Sequence, residues 1–335
     1  MNKKTKQSPP VGLAAVLLAI LMAIVTLSGG SVQAANLGIA NDFNAFIFGN
    51  ANTNGGHADG SVAVGGNWTG EYEVKQKGAN AVPYPTIAGA TNVGAYVGNV
   101  ATGGNIGLRS LQGNVYYGTR GTNAKVEAQN GFGVYAGANA SIFTQSKSQL
   151  TTLSTMLNDA SSLSINTSDQ NNVNIDVALN TSNGNLNVYK LNASQITGSR
   201  TVNFSNVTAN DTIVINVYGE TVNWDWSMNG GIESKVLWNF VDAKTININS
   251  RDFNGSILAL NATVNQYKNI NGTLIANNWN AYNSSELHFN SSYQFSGNLP
   301  GLTPIPVPEP GSIILAAFGL MVLFGKRRRT LVSWK

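Results

Sequence analysis

The 335-residue chain has no cysteine, only two histidines, and few charges: 20 Lys and Arg against 16 Asp and Glu. Without cysteine there is no disulfide framework and no thiolate metal site, so the body must be held by its own core or by repeated backbone pairing. His57 and His288 lie more than two hundred residues apart and neither belongs to an H-x-x-x-H pair, so both read as turn or surface histidines. The G-x-S-x-G spacing of a nucleophile elbow is also missing: "GSVAVGG" does not provide it. Asp42, Asp59, Asp225, Asp242 and Asp252 are isolated along the chain, and only stacking of distant segments can make a carboxylate pair of the glycosidase kind. The oxygen-rich stretch "NANTNGGHADG", residues 50–60, is poor in carboxylates and lacks the closing Glu of an EF-hand. It offers at most a weak Ca²⁺ site and reads better as an Asn-rich turn. No cofactor is expected.

What is present begins at the two ends. Lys3, Lys4 and Lys6 precede an apolar stretch over 11–27, and the small-residue site Val32-Gln33-Ala34 follows. This is the pattern of a secretory signal peptide over 1–34, cut between Ala34 and Ala35. At the other end a linker over 301–306 leads to Pro308-Glu309-Pro310, an apolar run over 311–325 and the basic cluster Lys326-Arg327-Arg328-Arg329. Fifteen residues make a helix of about 22 Å against roughly 30 Å of hydrocarbon, a marginal anchor by itself. Setting aside the basic residues of both ends leaves 12 of the 20, against 15 of the 16 acidic ones, so the body is near −3. A nucleic-acid partner, which needs a clustered basic face, is not expected.

Between the ends Asn alone outnumbers Lys, Arg, Asp and Glu together. Short β-branched and aromatic clusters such as "VGAYVGNV", "GNVYYGTRG" and "TIVINVYG" are bounded by Gly and Asn, as short strands are. One segment differs. Over 141–163, Phe143, Leu150, Leu153, Leu157 and Ala160 recur at three- and four-residue steps, which predicts an amphipathic helix packed on the strand body. "NGSILALNATVN" from Asn254 is echoed by "NGTLIANNWN" from Asn271, and "DGSVAVGGNW" from Asp59 repeats the phrase. Self-similarity near 20 residues predicts a mainly-β solenoid, β-helix-like, over 35–300, with Asn stacking at its corners.

Two resemblances rest on these residues. The tail over 307–329 resembles the PEP-CTERM sorting signal of Gram-negative bacteria that secrete extracellular polysaccharide. That resemblance implies transient insertion in the inner membrane with the basic cluster in the cytoplasm, then processing by an exosortase. The body resembles the choice-of-anchor A family through "LGIANDFNAFIFGNANTNGGHADGSVAVGGNW", "IFTQSKSQLTTLSTML" and "KVLWNFVDAKTININSRDFNGSILALNATVN". Its order of strands, one helix and closing coils is similar to the ice-binding β-helix family. The resemblance implies an adhesive domain at the cell surface or in the extracellular matrix, with signal peptidase, an exosortase, and polysaccharide or surface proteins as partners.

The expected function is therefore a non-enzymatic adhesive module. Trp224 and Trp226, two apart in "VNWDWSMN", sit on one side of any strand and are the candidate ligand-contacting rings, with Asp225 facing away. One alternative is a polysaccharide-active β-helix enzyme, which requires Asp225, Asp242 and Asp252 to converge. A second is ice binding, which requires a flat face of regularly spaced Thr; no sustained Thr-x-Thr ladder is visible.

Overall fold

The computed structural model describes residues 37–102, 107–177 and 185–300, all in one compact unit. The expected signal segment over 1–34, the membrane segment over 311–325 and the sorting residues lie outside the described residues. Among the described residues, no helix is long and apolar enough to cross a membrane.

The N-terminal half contributes β1 (Ala45–Ile47), β2 (Ala51–His57), β3 (Val62–Val74), β4 (Val93–Thr102), β5 (Leu108–Ser110), β6 (Asn114–Arg120), β7 (Val126–Ala128) and β8 (Val134–Ala136). The one α-helix among the described residues, α1 (Ser141–Asp159), follows. The C-terminal half contributes β9 (Leu163–Ser164), β10 (Asn172–Asp176), β11 (Leu186–Asn192), β12 (Thr201–Ser205), β13 (Thr212–Tyr218), β14 (Thr221–Trp224), β15 (Ser227–Met228) and β16 (Val236–Phe240). It ends with β17 (Thr245–Ile248), β18 (Phe253–Asn254), β19 (Ser256–Gln266), β20 (Ile270–Asn271), β21 (Leu274–Ala281) and β22 (Leu287–His288).

Pairing between these strands is parallel throughout, as a chain winding in coils requires. Each coil turns through three sheet faces. The first runs in the order β8-β6-β4-β3-β1-β21-β19-β16-β13-β11-β9. The second contains β14, β17, the later halves of β19 and β21, then β2 and the continuations of β3 and β4. The third is made of β10-β12-β15, β18-β20-β22, and β5 with β7 against the end of β3. The winding is not continuous in sequence. The first coil sits in mid-stack, with Ala45 beside Val62 on one side and Leu274 on the other.

This topology gives α1 its task. The N-terminal half winds outward to β8 at one end, whereas the C-terminal half starts with β9 at the other, so the connection must travel back along the stack. Nineteen residues of helix cover about 28 Å, or six coil spacings of about 4.8 Å. Near its start Phe143 meets Tyr96 of β4, and near its end Asn216 of β13 donates to the Leu157 carbonyl at 2.8 Å, so the helix runs from the N-terminal coils to the C-terminal ones. Phe143, Leu150, Leu153 and Leu157 are buried, as the stripe predicts. The helix stops at Asp159, short of the expected 163: Ala160 turns extended and Leu163 enters β9 beside Tyr189.

Two cores result. Inward side chains such as Ile257, Trp238 and Val64 form the solenoid interior, while Phe46, Val214, Leu237, Leu258 and Ile275 point outward from the first face and pack beneath α1. First-face strands are therefore covered on both sides and read as unbroken apolar runs ("AFI", "VLW", "SILAL"). Second-face strands are covered on one side only and alternate, as in "TINI" with its half-buried and buried positions. Glycine marks the corner between them. A β-carbon on Gly98 stands 2.1 Å from the Gly65 carbonyl oxygen, so coils stack at this corner only without a side chain.

Candidate binding face

The second face carries aligned polar residues along the stack. Two residue files run along it, one position apart on either side of a buried residue. The first file holds Thr221, Thr245, Thr263, Asn278, Asn50, Asn67, Asn99 and Thr119. The second holds Asn223, Asn247, Asn265, Asn280, Asn52 and Thr69. Between them Val222, Ile246, Val264, Trp279, Ala51 and Trp68 fill the interior.

Side-chain amides link the second file. Asn280 donates to Asn265, Asn265 to Asn247, and Asn247 to Asn223, each at 2.8 Å. Thr69 continues the file by donating to Asn52 at 3.2 Å. In the first file, Asn99 donates to Asn67 at 2.7 Å and Thr119 to Asn99 at 2.7 Å. Each rung fixes the next, so the face presents ordered hydroxyls and amides at the coil spacing. Beside the files Tyr267 and Tyr282 stack at 4.5 Å. A second ladder, on the third face, joins Asn254, Asn271 and His288.

The candidate tryptophans are elsewhere. Trp224 and Trp226 are each 0% exposed, which corrects the expectation that they contact a ligand. Trp224 ends β14 and Trp226 lies in the bend before β15, and both rings face the solenoid interior, where Trp224 lies 4.9 Å from Trp238 and 4.3 Å from Phe253. Trp68, Trp238 and Trp279 are equally enclosed.

The carboxylates serve separate local roles. Asp225 accepts from Ser199 at 3.2 Å, Asp242 from the Gly219 backbone at 2.6 Å, and Asp252 from the Asn269 backbone at 3.0 Å. Burial pushes the Asp42 carboxyl up to about 6, against a weaker opposing hydrogen bond from the Thr86 backbone. The two histidines, remote in sequence, meet at the joint between first and last coils: His57 is 3.5 Å and His288 3.0 Å from Glu286. Lys77 pairs with Asp59 at 2.7 Å in the same region. Among the described residues no group of three or more His, Asp or Glu is arranged to hold a metal ion. The oxygen-rich stretch over 50–60 is largely β2, and just before that strand Asn50 Oδ1 accepts from the Asn67 backbone.

The model of the ice-binding-like adhesive domain family matches residues 36–289. The chain belongs to this family. Residues 306–329 match the PEP-CTERM protein-sorting motif. Family and motif together mark an exported, cell-surface protein, and the motif implies processing by an exosortase-type enzyme. The choice-of-anchor A name remains a resemblance; the family shown is described by ice-binding-like adhesion.

Similar solved structures are ice-binding proteins. One is from an Antarctic biological consortium, at 14% identity and TM-score 0.39, covering 76% of this chain and 88% of that one. Another, from the Antarctic ascomycete Antarctomyces psychrotrophicus, has 12% identity and TM-score 0.37, covering 77% and 98%. A glycosylated protein from an Arctic yeast has 12% identity and TM-score 0.36, covering 83% and 98%. No curated protein matches the chain.

Proposed function

We propose that this family member is a non-enzymatic adhesive module of a Gram-negative bacterium, holding extracellular polysaccharide or a surface protein through its second face. The observation that carries the reading is the pair of Thr and Asn files, in the second of which side-chain amide hydrogen bonds join Asn223, Asn247, Asn265 and Asn280. Ordered donors and acceptors on a sheet face are preorganised, so a partner with many hydroxyls docks without freezing side chains first. Separate local roles for Asp225, Asp242 and Asp252 favour binding over glycoside hydrolysis.

Delivery follows from the ends. The signal peptide over 1–34 is removed after Ala34, with Val32 and Ala34 as the small residues read by signal peptidase and Ala35 as the new N-terminus. The domain over 35–300 and linker over 301–306 then lead to the sorting segment over 307–329. Its run over 311–325 inserts transiently in the inner membrane, Lys326, Arg327, Arg328 and Arg329 stay cytoplasmic, and an exosortase acts near Pro308-Glu309-Pro310.

The test replaces Thr245, Asn247, Thr263 and Asn265 together with Lys in the full chain. Cell aggregation and matrix cohesion fall while the amount of protein on the surface is unchanged. Unchanged cohesion rejects the face as the adhesive surface.

A second reading is ice binding, favoured by the same face and by the family's description. Thr221, Thr245 and Thr263 are consecutive in register, giving a hydroxyl file that the irregular coil lengths conceal in the sequence. Inhibition of ice recrystallisation, lost in the four-lysine variant, supports it; no effect on ice growth rejects it.

A further inference from the structure

At one end of the second face the ladder stops and a groove opens. Asn223 is the terminal rung: it accepts from Asn247, and each rung donates toward the preceding coil. That preceding coil crosses here as a short 3-10 turn, Ala193–Gln195, rather than as a strand. Among the described residues the Asn223 amide N–H therefore ends a polarised chain of hydrogen bonds, with no rung beyond it. Asn223 lines an open groove of about 620 Å³ together with Ser194, Thr197, Tyr218, Thr221 and Asp242.

We propose that this groove is a docking subsite for a neutral saccharide unit, a finer statement that rests on the adhesive reading above. Four features of its wall point to that chemistry. Asn223 supplies a donor, and Ser194, Thr197 and Thr221 supply hydroxyls that donate or accept. Asp242 spends one oxygen on the Gly219 backbone and keeps acceptor capacity for ligand hydroxyls. The Tyr218 ring is held by its hydroxyl, which donates to Asn158 Oδ1 at 2.8 Å, and offers a fixed flank for the C–H face of a sugar. Burial first, then the Asp242 and Asp159 carboxylates, keep that phenol above its usual range, so it stays a donor.

Charge selects the neutral form. Among the described residues Asp242 is the one charged side chain lining the groove, and the nearby Lys244 is engaged by Glu220 at 2.7 Å. A uronate meets a carboxylate there, and the Lys244 ammonium, which also feels Asp242, is already balanced by Glu220. A single carboxylate also leaves the groove without the pair that glycoside hydrolysis uses, so the sugar is held rather than cleaved. Because Thr221 and Asn223 belong to both groove and files, a bound chain end continues directly onto the face.

Calorimetric titration of the full chain in mild detergent with cellohexaose, maltohexaose, mannohexaose and a hexauronate tests this. At least one neutral hexasaccharide binds and the hexauronate does not. Asn223→Ala weakens that binding about tenfold, in line with loss of one hydrogen bond in a polar site. Ser194→Trp, an exposed position that fills the groove without removing a structural bond, abolishes it, with the melting temperature as the folding control. Binding that survives Ser194→Trp, no neutral hexasaccharide bound, or preference for the hexauronate each overturns the inference. If hexasaccharides fail while the four-lysine variant still loses cohesion, the groove falls and the adhesive reading stands; if cohesion is also unchanged, both fall.

Discussion

Asn44 donates its side-chain amide to the Gly272 carbonyl at 3.0 Å, across 228 residues of chain. It also accepts from the Gly60 backbone at 3.2 Å, so one buried amide latches the first coil to coils on both sides. Asn44→Ala leaves a carbonyl and an N–H unpaired inside the stack, costing about 2 to 4 kcal/mol. The melting temperature, followed by circular dichroism, drops by on the order of 10 °C. A change within experimental error means that the joint is held by its parallel strands alone.

The amide file makes a second prediction, because neighbouring rungs polarise one another. Asn265 both donates to Asn247 and accepts from Asn280, each at 2.8 Å. Asn247→Ala and Asn265→Ala each cost about 1 kcal/mol, since the rungs are half-exposed and water partly replaces the lost bonds. The double variant costs less than the sum, with a coupling of about 0.5 kcal/mol or more in a denaturant double-mutant cycle. Strict additivity rejects a cooperative file.

Part of this architecture is readable in the sequence. The 17-residue echo between Asn254 and Asn271 is one coil laid on the next, and their side chains bond at 2.7 Å. The stripe from Phe143 to Leu157 was visible because helical spacing is local. The Thr and Asn files were not, since successive rungs are separated by 15, 18 and 24 residues among the C-terminal coils and by 17, 32 and 20 among the N-terminal ones. A ladder sought at fixed period disappears when corners differ in length. The seating of β1 between β3 and β21 has no local pattern at all, because the apolar run "AFI" fits any two-sided position.

Lys75 supplies a pH prediction. Its side chain is fully buried, its ammonium donates to the Val82 carbonyl, and it lies 4.8 Å from the Tyr84 ring centre. Burial lowers its pKa to about 8 from the ordinary lysine value of 10.5. Between those values the unfolded chain binds a proton that the folded one has released, so stability rises with pH across that window. Below pH 8 both states carry the charge and the penalty is complete. Melting curves from pH 7 to pH 10 show this as a rise in midpoint relative to Lys75→Met, which cannot titrate. Parallel profiles for the two proteins reject the assignment.

Trp224 separates structural from ligand-binding roles most sharply. Its ring packs 4.9 Å from Trp238 and 6.1 Å from Trp226, with Phe253 at 4.3 Å. None of these rings reaches the surface, so a ligand gains nothing from them. Trp224→Ala leaves a cavity bounded by stiff aromatic neighbours that cannot close it, at a cost of about 3 to 5 kcal/mol. The midpoint of thermal unfolding falls accordingly, by on the order of 10 °C. Below that lowered midpoint the outward files remain intact, and adhesion per folded molecule stays at the wild-type level. A variant that melts normally but no longer adheres returns the indole to the surface, and the interior assignment fails.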